Sequence, residues 1–172
     1  NPTPTATASV VTPAVCNNTA ATINLSSNVG GTTFTYTAAG SNGNIGGYSN
    51  GNGSSINQTL TNSGISLGTV TYTITPTANG CPGSPITATV TVNPVPNVVA
   101  NPSISTICSG QSTNVALSSS VSGTSYSWTA NSGNPQVSGF GPGNGPTISQ
   151  SLTNSGSVQG TVTYTIAPTA NG

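Results

Sequence analysis

Polar and apolar positions alternate most clearly in residues 68–80, which have the sequence Gly-Thr-Val-Thr-Tyr-Thr-Ile-Thr-Pro-Thr-Ala-Asn-Gly. Valine, tyrosine and isoleucine occupy every second position, and this period of two predicts a β-strand with one apolar face and one hydroxyl face. We expect Pro76 to end the strand, because proline cannot donate to a strand ladder, and Asn79-Gly80 to form a tight turn.

The same stretch returns almost unchanged at residues 160–172, which lie 92 positions further along the chain. Shifting the sequence by 92 positions aligns it with itself without gaps, so that Cys16 falls on Cys108 and Tyr36 falls on Trp128. A period this long predicts tandem domains rather than a solenoid of small units. We therefore predict a first domain at residues 1–92 and a second at 93–172, in which the last strand is absent.

The first repeat shows about seven strand-like segments separated by turn signals. They cover residues 5–12, 21–27, 32–38, 55–61, 68–75 and 86–92, with a weak strand near Tyr48 inside a long loop at 39–54. This spacing predicts an all-β fold in which each repeat is an immunoglobulin-like antiparallel β-sandwich. We expect Tyr36, Tyr72, Trp128 and Tyr164 in the cores, and the two prolines of residues 93–96 to form a semi-rigid connector.

The chain contains no lysine, arginine, aspartate, glutamate or histidine among its 172 residues, whereas charged residues normally make up about a quarter of a globular protein. Acid–base and nucleophilic catalysis therefore lack their usual groups, and calcium and zinc lack their usual ligands. The chain also has no cationic side chain that could bind nucleic acids or anionic membranes. We expect no enzymatic activity, no cofactor or metal, no nucleic-acid partner and no membrane insertion.

Cysteine occurs at three positions, Cys16, Cys81 and Cys108. We predict a disulfide between Cys16 and Cys81, and Cys108 unpaired in this segment because its partner would lie one residue after Gly172. The disulfide would close a loop of 65 residues, and closing it would stabilise the domain by roughly 4 kcal/mol. The alternative is three reduced thiols.

Three features allow both a functional and a structural interpretation. Trp128 could stack on a sugar, but a lone tryptophan on this strand is expected in the core. The threonine rows in residues 69–73 and 87–91 could face an ice or mineral crystal, or simply the solvent. The long loops at 39–54 and 131–146 are the expected place for any ligand.

Residues 68–94 as a whole, together with Ile107-Cys108-Ser109-Gly110-Gln111-Ser112 and Tyr126-Ser127-Trp128-Thr129-Ala130, resemble the PKD-like repeats of very large surface proteins. The closest resemblance is to the tandem repeats of giant Bacteroidota adhesins that serve gliding motility and leave the cell by type IX secretion. The resemblance implies an extracellular location at the cell surface. It also implies neighbouring repeats of the same polypeptide as partners, with external surfaces or polysaccharide as further ones.

These observations together predict a structural and adhesive repeat of a long extracellular surface fibre, which acts as a rigid spacer and projects an adhesin from the cell. Two other functions stay open. One is a carbohydrate-binding module that uses aromatic and amide side chains. The other is a self-assembling filament subunit that is completed by strand addition.

Overall fold

The computed structural model describes residues 2–170, and those residues form eighteen β-strands and no helix. Most of the paired strands are antiparallel and build separate sheets within each repeat. The prediction of an all-β, immunoglobulin-like sandwich fold is therefore confirmed. No helix among the described residues is long and apolar enough to cross a membrane.

The chain divides into two compact units, Asn1–Val95 and Pro96–Gly172. The first unit has ten strands: β1 (Ala6–Val10), β2 (Ala14–Cys16), β3 (Thr19–Ser27), β4 (Thr33–Gly40), β5 (Ile45–Gly46), β6 (Gly51–Asn52), β7 (Ser55–Asn62), β8 (Gly68–Ala78), β9 (Cys81–Pro82) and β10 (Ile86–Asn93). One sheet has the order β1-β3-β7-β5, and the other has the order β2-β10-β8-β4-β6, with β9 paired to β8. The two sheets enclose one core, as a β-sandwich requires.

Strand β8 is the centre of its sheet, and its alternating sequence explains why. It pairs antiparallel with β4 from Gly40 to Thr33 and with β10 from Ile86 to Val92. Its inward side chains Val70, Tyr72 and Ile74 are fully buried, and each contributes about 1.5–3 kcal/mol by leaving water. Its threonines point to the other side, where they are exposed or half-exposed.

The core of the first unit is built from both sheets. Ile23, Ile56 and Leu60 of the first sheet face the buried residues of β8 and β10 and are themselves at most 1% exposed. The predicted core residue Tyr72 is 0% exposed, and Tyr36 packs against the same cluster at its edge. Their rings make an edge-to-face contact with centroids 6.0 Å apart, a geometry that aromatic pairs favour.

The predicted end of strand β8 at Pro76 is wrong, because the strand continues to Ala78. Pro76 pairs with Phe34 of β4, and its carbonyl accepts a hydrogen bond from the Gly83 amide on the opposite side. Because the nitrogen and the carbonyl of one strand residue point the same way, the missing N–H of Pro76 faces residues 83–85, which lie outside the strands. The ladder to β4 therefore loses no bond.

The turn predicted at Asn79-Gly80 is present and joins β8 to β9. Asn79 has a φ of 53° and Gly80 a φ of 78°, the pair of positive values that a type I′ hairpin turn requires.

The sequence analysis did not predict β2, which pairs in parallel with β10 from Ala14 to Cys16. A three-residue strand is too short to show a clear alternation of polar and apolar residues. It is stabilised by its pairing with β10, which is far along the chain and cannot be inferred from the local sequence.

The second unit has eight strands among its described residues: β11 (Val99–Asn101), β12 (Val115–Ser118), β13 (Ser125–Ser132), β14 (Val137–Ser138), β15 (Gly143–Asn144), β16 (Thr147–Ile148), β17 (Thr153–Asn154) and β18 (Val162–Thr169). They form the sheets β11-β12-β16, β15-β13-β18 and β14-β17. A shift of 92 residues brings β13, β14 and β15 onto β4, β5 and β6 without any offset. The repeat seen in the sequence is thus also a repeat of structure.

The core of the second unit contains Leu117, Tyr126, Trp128 and Ile148. Trp128 is 7% exposed, and the half-buried Tyr164 packs against the same cluster. Strand β18 is hydrogen-bonded to β13 on one side only among the described residues, and no residue of the strand itself is fully buried. The equivalent strand β8 of the first unit has six buried positions.

The predicted disulfide between Cys16 and Cys81 is wrong, because all three cysteines are free. Cys16 of β2 is paired with Asn93 of β10, and the neighbouring Val92 is paired with Gly68, the first residue of β8. Cys81, in contrast, is paired with Ala78, the last residue of β8. The two cysteines therefore lie at opposite ends of an eleven-residue strand, about 33 Å apart at 3.3 Å per residue. A disulfide needs Cα atoms within about 7 Å of each other.

Candidate functional site

The long loops at residues 39–54 and 131–146, where a ligand was expected, are each fixed by a glutamine. In the first unit, Oε1 of Gln58 accepts hydrogen bonds from the hydroxyl of Tyr72 and the amide of Ser49, both at 3.0 Å. Its Nε2 donates to the carbonyl of Ser49 at 2.9 Å. Nε2 also donates to the hydroxyl of Ser49 at 3.0 Å, so the side chain links β7, β8 and the loop through four hydrogen bonds.

The second unit repeats this arrangement with Gln150. Its Oε1 accepts from the hydroxyl of Tyr164 at 2.9 Å and from the amide of Gly141 at 3.0 Å, and its Nε2 donates to the carbonyl of Gly141 at 2.9 Å. The sequence analysis missed this role. The signal was present, because Gln58 and Gln150 are polar residues at inward positions of otherwise apolar alternating segments.

Glycines in these loops are required for close packing. Gly47 has a φ of 79° and Gly139 a φ of 88°, and a side chain on either would collide with a carbonyl oxygen of the adjacent strand segment. Gly143 lies on the ring of Trp128, where a Cβ atom would come within 2.6 Å of Cζ2. The glycine-rich composition therefore holds the loops against the sandwich.

Aromatic side chains do not provide a sugar-binding platform on the described surface. All eight phenylalanine, tyrosine and tryptophan side chains are buried or half-buried, and none is exposed. Trp128 faces the core, and its Nε1 is buried. The protein therefore has no exposed aromatic ring of the kind on which carbohydrate-binding modules stack sugars.

A threonine array covers the outer face of the sheet β10-β8-β4. Register pairs such as Thr37 with Thr73 and Thr73 with Thr87 place the threonines of neighbouring strands side by side. The array consists of Thr33, Thr35, Thr37, Thr69, Thr71, Thr73, Thr75, Thr77, Thr87, Thr89 and Thr91. Neighbouring strands of a sheet twist by roughly 20–25°, so the array turns through about 45° and is not planar. This curvature favours ordinary solvent-facing side chains over a crystal-binding plane.

The second unit carries an open groove along the edge of β18 that is not paired with another strand within residues 2–170. The groove has a volume of about 750 Å³ and lies entirely within the second unit. Its apolar lining includes Val115, Val137, Ile148, Val162 and Ile166. The equivalent position in the first unit is occupied by β10, which covers β8 along seven residue pairs.

Burial changes the ionisation of the two tyrosines that hold the glutamines. Burial, with a smaller contribution from nearby Tyr36, raises the pKa of Tyr72 to about 12. Burial also raises the pKa of Tyr164, and a hydrogen bond with Thr113 opposes that shift. Both hydroxyls therefore remain protonated donors at neutral pH.

The described residues contain no group of three potential metal ligands. Serine and threonine hydroxyls are abundant, but the sequence has no histidine or carboxylate that could activate them.

The comparison with protein families decides the assignment. The model of the PKD-like domain matches residues 13–96 and matches again at residues 105–172. The chain belongs to the PKD-like domain family. The two matches correspond to the two structural units, so the chain carries two PKD-like domains in tandem.

PKD-like domains are immunoglobulin-like β-sandwiches that are typically extracellular and generally non-enzymatic. An extracellular structural or adhesive repeat is the role that this family suggests. No curated protein matches the chain.

Proposed function

We propose that these two PKD-like domains are part of a long extracellular surface fibre, in which they act as rigid spacers that project an adhesin from the cell. The observation that carries the proposal is the tandem repetition of one sandwich at a fixed period of 92 residues, with no catalytic constellation in either copy. A domain that only separates and presents other parts needs a stable fold and stiff connections. It does not need reactive groups.

The connection between the two domains is short and contains two prolines. Strand β10 ends at Asn93 and β11 begins at Val99, and the intervening residues include Pro94 and Pro96. Pro94 is buried, and each proline ring fixes one backbone angle. Proline-containing linkers of this kind behave as semi-rigid spacers.

The surface supports a spacer that neither attracts nor repels charged matter. With no ionisable side chain other than tyrosine and cysteine, the domains have almost no electrostatic field for salt to screen. Attachment through this segment to a surface or polysaccharide would therefore be independent of ionic strength. Attachment that weakens several-fold between low and high salt would contradict this part of the proposal.

The finer assignment rests on the resemblance of residues 68–94 to repeats of giant Bacteroidota adhesins. On that basis we propose that the parent protein is a gliding-motility adhesin exported by type IX secretion, and that the nearest partners are neighbouring repeats of the same polypeptide. Immunogold labelling of intact cells with an antibody against the repeats tests the location. Label inside the cell only would contradict it.

The spacer role is tested by measuring the distance between the two domains in solution. Cys16 and Cys108 occupy equivalent positions and are both exposed, so spin labels on them report one distance in a Cys81→Ser variant. We expect a single narrow distance distribution by pulsed electron paramagnetic resonance. The matched control replaces both Pro94 and Pro96 with glycine, which should broaden the distribution. A native distribution as broad as that of the glycine variant would overturn the rigid-spacer proposal.

A further inference from the structure

Five asparagines in the described part of the chain are followed by glycine: Asn42, Asn50, Asn52, Asn79 and Asn144. This pair of residues has an intrinsic reaction, because the backbone nitrogen of the glycine can attack the side-chain amide carbon of the asparagine and close a five-membered ring. Glycine favours the attack, since it has no side chain to obstruct the approach. The folded structure determines which of the five pairs can react.

Three of the pairs are blocked because the glycine nitrogen is already bonded. The amides of Gly53 and Gly145 each donate a hydrogen bond at 3.0 Å to a backbone carbonyl of the neighbouring strand. Gly51 is paired with Tyr36 in the same antiparallel ladder as Gly53, and bonded pairs recur at every second residue of such a ladder, so its amide is engaged as well. Each of these nitrogens would have to break a bond of a sheet before it could attack.

Asn42 combines a free glycine nitrogen with an activated amide group. Its neighbour Gly43 lies in the exposed loop between β4 and β5 and donates no hydrogen bond to any residue in the range 2–170. Oδ1 of Asn42 accepts a hydrogen bond from the amide of Asn44 at 2.9 Å, which folds the side chain back over Gly43. The same N–H stabilises the oxygen on which negative charge develops when Cγ is attacked, as an oxyanion hole does.

Asn79 has a free glycine nitrogen but lacks the activated amide. Asn79 and Gly80 form the type I′ turn between β8 and β9, and Gly80 donates no hydrogen bond within residues 2–170. Oδ1 of Asn79 receives no hydrogen bond from any residue in that range. The pairing of Ala78 with Cys81 also holds the backbone on both sides of the turn. The structure therefore favours the reaction at Asn42 over that at Asn79.

We propose that Asn42 is a site of self-modification, at which the folded first domain converts an asparagine into an acidic residue without an enzyme. The Gly43 nitrogen gives up its proton and bonds to Cγ of Asn42, the Cγ–Nδ2 bond breaks, and Nδ2 leaves with that proton as ammonia. One water molecule then opens the succinimide ring. Water that breaks the new N–Cγ bond leaves aspartate, and water that breaks the original backbone C–N bond leaves isoaspartate.

The reaction gives the chain its first charged side chain, since the sequence contains none. An aspartate at position 42 keeps the turn, because a carboxylate oxygen accepts the bond from the Asn44 amide more strongly than an amide oxygen does. An isoaspartate lengthens the backbone by one carbon and displaces the carbonyl of Asn42, which accepts a hydrogen bond from the amide of buried Ile45 at 3.2 Å. The proposal does not depend on the spacer function.

The second domain contains a natural control at Asn134, which lies 92 residues after Asn42 and forms the same turn. Its Oδ1 accepts a hydrogen bond from the amide of Gln136 at 2.9 Å, and its carbonyl accepts one from the amide of Val137 at 3.1 Å. The next residue, however, is Pro135, which has no N–H to give up. Asn134 therefore cannot form the ring by this route, although its hydrogen bonds match those of Asn42.

Incubation of the folded 172-residue protein at mildly alkaline pH tests the proposal, followed by peptic digestion at acidic pH and mass spectrometry. We expect the peptide that holds Asn42 to gain the mass of an amide-to-acid exchange at least about tenfold faster than those that hold Asn52, Asn79 or Asn144. In urea this preference should disappear, because every glycine nitrogen is then free. The rate should rise with pH, since the attacking nitrogen must lose its proton.

Two substitutions exchange the chemistry of the matched turns. Gly43→Pro should abolish the reaction at Asn42, and the turn tolerates proline because the second domain has it at the equivalent position. Pro135→Gly should create a reacting site at Asn134, with a rate within about fivefold of that at Asn42. Gain of a reaction at Asn134 cannot result from a failure to fold in the first domain.

The same distribution of products over the asparagines in the folded and in the urea-unfolded protein would overturn the proposal, because sequence alone would then set the rates. A faster reaction at Asn79 than at Asn42 would also overturn it. So would a reaction at Asn42 that persists in the Gly43→Pro variant, or an unreactive Asn134 in the Pro135→Gly variant.

Discussion

The hydroxyl of Tyr72 donates a hydrogen bond to Oε1 of Gln58 across the first sandwich at 3.0 Å, and Tyr164 and Gln150 repeat this bond at 2.9 Å in the second. Each bond joins one sheet to the other: Gln58 lies on β7 and Tyr72 on β8 of the opposite sheet, and Gln150 follows β16 while Tyr164 lies on β18 of the opposite sheet. The same glutamine fixes the long loop. One side chain therefore stabilises both the sandwich and its largest surface loop.

We expect Gln58→Ala to lower the free energy of unfolding of the first domain by about 2–3 kcal/mol, because it removes four hydrogen bonds, most of them to the exposed Ser49, and leaves the Tyr72 hydroxyl unpaired in the interior. Urea unfolding followed by circular dichroism measures the change. The exposed Gln111, whose side chain has no such role, serves as the control, and Gln111→Ala should cost less than about 0.5 kcal/mol. Equal effects of the two substitutions would contradict the role of Gln58.

Gly47→Ala should destabilise the first domain by about 3 kcal/mol or more, because the residue has a positive φ and the new methyl group would collide with the carbonyl of Thr59. Gly139→Ala should do the same in the second domain, where Trp128 fluorescence follows unfolding. Gly30 is the matched control, since it has ordinary backbone geometry and open space around it. Its replacement by alanine should change stability by less than about 0.5 kcal/mol. Similar values for Gly30 and Gly47 would show that the loop does not pack as described.

Stability should fall at high pH because of Tyr72. Burial raises the pKa of Tyr72 in the folded protein to about 12, whereas an unfolded tyrosine has a pKa of about 10. Below about pH 10 the Tyr72 hydroxyl is protonated in both the folded and the unfolded protein, so stability does not depend on its ionisation. Above about pH 10 the unfolded protein loses this proton first, which favours unfolding. The free energy of unfolding should therefore fall by about 2 kcal/mol between pH 10 and pH 12.

The Tyr72→Phe variant provides the control for this pH dependence. Its first domain should lose most of the decline above pH 10, since the buried ring no longer carries an ionisable group. Between pH 4 and pH 7 both proteins should be unchanged within about 0.5 kcal/mol, because the chain has no carboxylate or imidazole side chain to titrate. Acid denaturation in that range, or an unaltered alkaline decline in the variant, would refute this explanation.

Reducing agents should not affect the stability of either domain. All three cysteines are free, so the thermal midpoints with and without dithiothreitol should agree within about 1 °C, whereas a disulfide that closes a long loop would contribute roughly 4 kcal/mol. Alkylation of the unfolded, unreduced protein followed by mass spectrometry should modify three thiols. Modification of only one thiol would instead support a disulfide between Cys16 and Cys81 and contradict this prediction.

Much of the sandwich could be predicted from sequence because its strands have a period of two. The segments around Ile23, Ile56 and Val90 each show this alternation, and the observed strands agree with the predicted ones within a few residues. The repeat then transferred the same prediction to the second domain. Local pattern was sufficient here because one face of each strand meets the core and the other meets water.

The features that the sequence did not reveal depend on contacts between distant residues. The parallel pairing of Ala14–Cys16 with β10 is set by the closure of the sandwich, and the separation of Cys16 from Cys81 is set by which end of β8 each one reaches. Pro76 remains inside a strand only because its nitrogen faces residues outside the ladder. None of these relationships changes the local alternation from which strands are predicted.

The central claim, that the chain is a tandem of separately folded domains suited to a fibre under tension, is tested most directly by pulling the 172-residue protein from its two ends in an optical trap. Unfolding the 95 residues of the first unit should release roughly 30 nm of chain at about 3.6 Å per residue. The second unit should unfold in a separate and shorter step. This step should occur at lower force, because β18 is hydrogen-bonded to a neighbouring strand on one side only among the described residues, whereas in the first unit β8 is bonded on both sides and β10 is also paired in parallel with β2. A single step of roughly 60 nm, or gradual extension without steps, would contradict the account.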